Sequence, residues 1–454
     1  MARMKVDCEP TIAGDITIGG PGNYSINIGQ LIDSGRRRTV CFDADNNFVV
    51  LEVGKRGSGK SFGLGAAMEA FATQEGSSTI AHHGANRRGV LLLDPLDVHW
   101  TAIYPVTPEG SPHMVQQYKL LDRWPEIKVE SINVDVYMPA GSRRPGDPSV
   151  FVDYYLPVSD LTAEDFALLY GANLMSDPAG MLLAELYDDV TRLGYAVAGN
   201  DVPSRTNFGL QDLIDCVQAD DIQANYQAST LRAVRQRLLS WQRDPLFQRA
   251  TGTPVTQLVQ GGRLSILCLN RLSDDMREVV TSVVVRKIKA ERTRASQMER
   301  RRAFDPSAPP AGQLEMPRTI LAIDEAQMIL PASGGGHARS AIESYVLEGR
   351  NFGLSIWMAT QRPKGAISGD AKSQLDTLIV HKLSTADDVS AVTGLLQSST
   401  PSSIKFNGRR VDVEELIRNL EVGAALVSSG HDNANRSFVM EVRPRVVAHG
   451  GRAF

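Results

Sequence analysis

Gly54-Lys55-Arg56-Gly57-Ser58-Gly59-Lys60-Ser61 is the stretch that decides the fold of this chain. The apolar run Phe48-Val-Val-Leu-Glu-Val53 precedes it and Phe62-Gly-Leu-Gly-Ala-Ala-Met-Glu-Ala-Phe71 follows, so the octapeptide stands where a strand feeds a helix. In that context the spelling reads as a P-loop. Backbone N–H groups of a glycine-rich turn, together with the positive end of the following helix, wrap the phosphates of a nucleotide. Lys60 is expected to reach the β- and γ-phosphates, and the Ser61 hydroxyl to ligand Mg²⁺. Glycine at 54, 57 and 59 lets the backbone approach closely or take a positive φ. Gly54, Gly57, Ser58, Gly59, Lys60, Ser61 and Phe62 are therefore the expected nucleotide-binding residues.

Outward from this turn, 454 residues hold either two or three average domains or one domain with insertions. With 42% hydrophobic and 22% charged residues the composition is that of a soluble globular protein. No run of about 18 apolar residues occurs, and Met1-Ala-Arg-Met-Lys-Val-Asp7 lacks the apolar core of a signal peptide, so the expectation is a cytoplasmic protein without a membrane partner. Cys8, Cys41, Cys216 and Cys268 show no metal-ligand spacing and read as buried free thiols. A net charge of −4 excludes a polycationic coat, which confines any nucleic-acid contact to a local patch or a ring interior. The basic run from Arg286 to Arg302 reads as the solvated face of a long helix.

Residues 1–47 read as a short β segment broken by turns. From residue 48 strands and helices alternate. Arg88-Gly-Val-Leu-Leu-Leu-Asp-Pro95, Gly262 to Asn270, Thr319 to Ile323, Leu354 to Thr360, Thr377 to Leu383 and Ala424 to Ser428 read as strands, several of them uninterrupted apolar runs. The alternation predicts an α/β fold around a mainly parallel sheet, covered on both faces. Between about 96 and 260 this core pattern is interrupted, and about 155–260 reads as a mainly helical insertion, with helix expected across 162–195, 210–218 and 228–243 and a start signal at Ser159-Asp-Leu-Thr-Ala-Glu-Asp165. The domain reading is thus an N-terminal segment 1–47 and an ATPase core 48–454 carrying the insertion.

Thr319-Ile-Leu-Ala-Ile-Asp324-Glu325 delivers two acids to the edge of the sheet on which a P-loop also lies. Asp324 is expected to hold Mg²⁺ through its water shell, and Glu325 to polarise the water that attacks the γ-phosphate, which makes the pair a Walker B element and favours hydrolysis over phosphoryl transfer to another acceptor. No Asn-Lys-x-Asp guanine-reading motif occurs, so ATP is the expected nucleotide. Trp357-Met-Ala-Thr-Gln361-Arg-Pro363 ends the next strand in polar side chains. Gln361 is placed there to bond the γ-phosphate or its attacking water.

Taken in order, Asp324-Glu-Ala-Gln, Glu348-Gly-Arg-Asn-Phe-Gly353, Ala359-Thr-Gln-Arg-Pro363 and Gln374-Leu-Asp-Thr-Leu-Ile-Val380 resemble the HerA/FtsK superfamily of ring-forming DNA-pumping ATPases, and its HerA branch in particular. Gly262 to Ser273 and Leu420 to Gly430 also look like that branch, and the likeness runs from about residue 48 to about residue 445. The resemblance implies a RecA-like core, a homo-hexamer, and ATP hydrolysis at subunit interfaces driving double-stranded DNA through a central channel. It also implies that Arg350 is the arginine a neighbouring subunit inserts at the γ-phosphate; the alternative is a surface arginine in a glycine-rich turn. HerA proteins begin with a longer β-barrel than 47 residues allow, so the assembly surface is expected to be reduced. FtsK-type membrane helices, a winged-helix tail and a nuclease motif are not evident, and DNA cutting would need a partner nuclease or effector.

The leading functional reading is an ATP-dependent DNA translocase or helicase. The alternative is an oligomeric scaffold whose nucleotide gates a partner effector, for example in defence against foreign DNA. Outside these motifs, His82-His83 reads as an exposed polar loop. Arg143 and Arg144 lie in a loop that faces either a channel or solvent, and Trp241 and Trp357 read as packing residues.

Overall fold

The computed structural model describes residues 16–19, 23–32, 38–74, 76, 78–84, 86–248, 252–305, 307, 316–330, 336–365, 369–396, 402–406, 409–430 and 436–451. Cys8, most of the turn at 19–22, most of the loop at 304–312 and Gly334-Gly335 lie outside these residues. Along the chain the strands are β1 (Ile16–Ile18), β2 (Ser25–Leu31), β3 (Thr39–Asp43), β4 (Val49–Val53), β5 (Ala81–His82), β6 (Gly89–Asp94), β7 (Val134–Pro139), β8 (Val152–Tyr154) and β9 (Tyr195–Val197). They continue as β10 (Asn200–Val202), β11 (Leu264–Cys268), β12 (Thr319–Ile323), β13 (Leu354–Thr360), β14 (Thr377–Val380), β15 (Ser403–Phe406), β16 (Arg409–Asp412), β17 (Ala424–Ser429) and β18 (Arg436–Val442). Contacts divide the chain into two compact units, one of residues 1–136, 259–270 and 289–454 and one of residues 137–258 and 271–288.

In the first unit six parallel strands stand in the order β14-β4-β13-β12-β6-β11. Every residue of β6, β11, β12 and β13 is buried. Their apolar runs are therefore continuous rather than alternating, as a parallel sheet covered on both faces demands. β13 lies between β4 and β12, in register Ala359↔Glu52 with one and Met358↔Ile323 with the other. Three strand ends thus converge at one edge: that of the P-loop, that of Asp324-Glu325 and that of Gln361. This is the α/β, RecA-like P-loop arrangement with a mainly parallel sheet.

Parallel pairing does not extend to the end of the chain. β17 pairs antiparallel with β14, β18 with β17, β2 with β18 and β3 with β2. The excursion after β14 begins and ends at the P-loop edge, where Gly423 N–H donates to the Ser58 carbonyl at 3.2 Å, so β17 must run back against β14. β18, which the sequence reading does not contain, follows as the return arm, and β1–β3 from the N-terminal stretch extend the same sheet.

The second unit is mainly helical, with helices Ala163–Tyr170, Pro178–Asp188, Leu210–Cys216, Asp220–Asn225 and Ala228–Gln242. Helix across 162–195 is interrupted because Gly171 takes φ 80° as a left-handed C-cap. Thr162 caps the first helix in a capping box with Asp165. β9 and β10 form a hairpin, and Phe166 packs against Trp241 at 6.1 Å.

The helix Asp274–Phe304 corrects one expectation. Its cations are not simply solvated: Arg286 pairs with Asp165 at 2.5 Å and Lys287 with Asp160 at 2.7 Å within the second unit. Lys289 pairs with Glu348 at 2.7 Å, and the buried Arg292 with Glu299 at 2.7 Å, within the first. Three carboxylates distant in sequence, Asp165, Asp160 and Glu348, thus pair with cations of a run that looks free when read alone. Among the described residues no helix is long and apolar enough to cross a membrane.

Candidate nucleotide site

The P-loop leaves β4 with Gly54 N–H on the Thr360 carbonyl at 3.2 Å and Lys55 N–H on the Lys382 carbonyl at 3.0 Å, tying the turn to β13 and to the residue after His381. Gly57 (φ 76°) and Gly59 (φ 107°) occupy the left-handed region that a side chain disfavours. Gly54 is needed for a different reason: a Cβ there would stand 2.7 Å from that of His381 and would collide with the Ser58 hydroxyl. Gly59 is the N-cap of the helix Lys60–Phe71, so Lys60 and Ser61 lie on its first turn. Ser58 and Lys60 are buried, and Phe62 meets the His449 ring edge-on at 5.4 Å.

At the end of β12 Asp324 is fully buried, and both its oxygens are engaged. Oδ1 accepts from the Ser61 hydroxyl at 3.2 Å and from Glu325 N–H at 2.9 Å, while Oδ2 faces His99 Nε2 at 3.0 Å. Burial pushes the Asp324 carboxyl up, but His99, Lys60 and Ser61 outweigh it and hold the group at about 2. Glu325 sits in the left-handed region at φ 45°, an uncommon conformation for a non-glycine residue that turns its side chain back across the strand ends. Its Oε1 pairs with Lys60 Nζ and accepts from Gln361 Nε2 at 2.7 Å, and its Oε2 accepts from Gln327 Nε2 at 2.5 Å. Gln327 in turn takes the Thr360 hydroxyl at 2.7 Å and Gln361 N–H at 3.2 Å on its amide oxygen.

Lys60, Ser61, Asp324, Glu325 and Gln361 therefore lie within one hydrogen-bonded cluster. Arg350 does not join it. It opens the short turn Arg350–Phe352 ahead of β13, exposed, with its carbonyl accepting from Asn47 Nδ2 at 2.7 Å just before β4. Since β4 and β13 are parallel, Arg350 lies at the edge of the sheet opposite its own P-loop, about 20 Å away along β13.

Two members of the cluster were not anticipated. Gln327, two residues beyond Glu325, stands inside the quoted Asp-Glu-Ala-Gln motif, and only the strained backbone at Glu325 reveals why its amide can reach back. His99 follows β6 by five residues and carries no periodic signal. Other readings also change: His83 is not a free loop residue, since its Nε2 meets the Thr73 hydroxyl at 2.8 Å and its ring lies edge-on to Tyr24, while burial first and then Arg87 lower its pKa to about 4. Arg143 pairs with Asp153 at 2.8 Å, and Arg144 N–H donates to Asp147 at 2.7 Å. Trp357 is buried as expected but also donates to the buried Glu52 at 2.9 Å.

A hydroxyl and a carboxylate oxygen converging at the start of a helix form a hard donor pair that suits Mg²⁺. Among the described residues no group of three or more His, Cys, Asp or Glu side chains is placed to hold a metal, so an ion at Ser61 and Asp324 would draw its other ligands from nucleotide and water.

No protein-family model matches the chain. Its sequence is 25% identical over 177 residues to the DNA double-strand break repair helicase HerA of Saccharolobus solfataricus, a match spanning 39% of this chain and 31% of HerA. VirB4 of Thermoanaerobacter pseudethanolicus superposes over 95% of this chain and 98% of its own, with a TM-score of 0.51 and 14% identity, so the two share a fold. The plasmid coupling protein TrwB, solved with ADP and Mg²⁺, aligns over 95% of this chain and 97% of its own, with a TM-score of 0.45 and 13% identity. The chain thus resembles FtsK/HerA-type P-loop ATPases in sequence and in fold.

Proposed function

We propose that this protein is an ATPase that assembles into a ring, most simply a homo-hexamer, and uses hydrolysis to translocate or unwind double-stranded DNA together with a partner nuclease or effector. The observation that carries the reading is the convergence of Lys60, Glu325 and Gln361 at one sheet edge while Arg350 stands unused at the other. The first three are the parts of a hydrolytic site one chain supplies, and the fourth is the part a neighbour would supply. The name of HerA, a break-repair helicase, supports duplex DNA as the polymer acted on.

In this reading Lys60 exchanges Glu325 for the β- and γ-phosphates when ATP binds. The freed Glu325 carboxylate orients a water against the γ-phosphate and takes up its proton. Gln327 and Thr360 hold Glu325 and Gln361 in a common frame, and Gln361 completes the polar wall facing the attacking water. Ser61, and Asp324 through the ion's water shell, would hold Mg²⁺, which would neutralise phosphate charge. The buried setting strengthens each of these electrostatic contacts relative to water.

The test is the ATP hydrolysis rate with and without duplex DNA, run beside a particle-size measurement. Hydrolysis stimulated by duplex in a ring-sized particle is the expected result. Hydrolysis indifferent to DNA would remove the motor reading and leave the nucleotide site standing.

A further inference from the structure

We propose that His99 is a positioning residue for Asp324, its imidazole fixing one carboxylate oxygen so that the other stays turned toward Ser61 and the divalent ion. The inference rests on the assignment of Asp324 to Mg²⁺ in the proposed function. A carboxylate torsion is broad and nearly two-fold, so an Asp at a strand end does not by itself keep one oxygen directed at a metal. Here the two oxygens have separate partners: Oδ1 faces Ser61 and the Glu325 amide, and Oδ2 faces His99 Nε2 at 3.0 Å. An ionised carboxylate only accepts, so Nε2 is the donor.

The surroundings hold the ring in that place. His99 is 1% exposed. Its backbone N–H donates to Asp94 Oδ2 at 2.7 Å, and the same carboxylate takes the N–H groups of Leu96 at 3.0 Å and Val98 at 2.8 Å, which freezes the loop after β6. From the far end of the chain Gly450 N–H bonds the Val98 carbonyl at 3.1 Å, and the His449 ring stands edge-on to His99 at 6.1 Å. A histidine so fixed, donating to a metal-directed carboxylate, does for Asp324 what outer hydrogen-bond partners do for ligands in metal sites generally.

The experiment titrates free Mg²⁺ against binding of a non-hydrolysable ATP analogue by the full chain, and repeats the binding in EDTA. His99→Ala and His99→Asn should need about 10- to 100-fold more Mg²⁺ for half-maximal effect, with affinity in EDTA unchanged. His99→Gln, whose amide reaches about as far as Nε2, should stay near wild type. Asp324→Asn serves as the reference. If it shifts the Mg²⁺ dependence while the Ala and Asn variants do not, the role of His99 is overturned and the metal site stands. If Asp324→Asn itself shifts nothing, the metal assignment fails and His99's role fails with it. An equal loss of affinity in EDTA, or a Gln variant as impaired as Asn, would mark His99 as merely structural. Should the Ala variant fail to fold, the contrast between Asn and Gln decides.

Discussion

Glu325 carries most of the chemistry assigned to this site, and its backbone explains how. The left-handed φ of 45° brings its carboxylate back over the strand ends, where Lys60, Gln361 and Gln327 all reach it. Such a conformation costs on the order of 1–3 kcal/mol and persists only where neighbours over-determine it. Replacing Glu325 by Gln keeps the shape and removes the proton acceptor, so ATP should bind and remain unhydrolysed, with turnover down by about 10²–10⁴-fold. Lys60→Ala should instead abolish nucleotide binding, because the buried counter-charge to the phosphates is gone; a fluorescent-nucleotide titration separates the two. Gln327→Ala should leave that titration unchanged while slowing steady-state hydrolysis by up to about 100-fold, the loss expected when a reacting group is misplaced by an ångström or so. Wild-type turnover in this variant would show that Lys60 and Gln361 suffice to place Glu325.

The helix Lys60–Phe71 is held from behind by an element far away in sequence. Glu69, fully buried, accepts from Arg443 at 2.6 Å, from Arg445 at 3.1 Å and from Val446 N–H at 3.0 Å, while Arg443 also donates to the Asn27 carbonyl at 2.6 Å. Gly65 makes room for this, since a Cβ there would lie 2.8 Å from the Arg445 guanidinium carbon. Removing one partner of a buried ion cluster strands the others, so Glu69→Ala should lower the unfolding free energy by about 3–5 kcal/mol in a denaturant titration. A change under about 1 kcal/mol would mean that the arginines find other acceptors. This helix also marks the limit of what the sequence makes legible. The P-loop, the acids after β12 and the polar end of β13 are local patterns in which strand, turn and helix signals coincide, and the structure brings these residues together at one edge of the sheet. Arg443 and Arg445 carry no such local signal, because their partner Glu69 is more than 370 residues earlier. His99 is invisible for the same reason, being 225 residues from Asp324. The sequence reading contains β17 but not its antiparallel direction, because apolar runs announce strands and say nothing of how they pair, and it does not contain β18.

A parallel sheet has two edges, and this chain places Lys60, Glu325 and Gln361 on one and Arg350 on the other, so a role for Arg350 at its own γ-phosphate is excluded by geometry. A head-to-tail ring is the symmetry that brings opposite edges of successive copies together, and light scattering with ATP and Mg²⁺ should find a closed oligomer; monomer alone at micromolar concentration would end that reading. If Arg350 acts in the neighbouring site, Arg350→Ala should bind ATP and assemble yet hydrolyse slowly, by about 10³–10⁵-fold at the limit, because its charge counts most when the γ-phosphoryl is in transit. Mixed rings sharpen the test. A P-loop from the Arg350→Ala subunit beside an arginine from a Lys60→Ala subunit makes one intact interface, so activity should return on mixing two inactive proteins. Absence of recovery after confirmed subunit exchange would leave Arg350 structural. The assignment would then pass to Arg300, which lies over Phe352 at 5.9 Å and donates to the Asn351 carbonyl at 2.6 Å, on the same edge of the sheet.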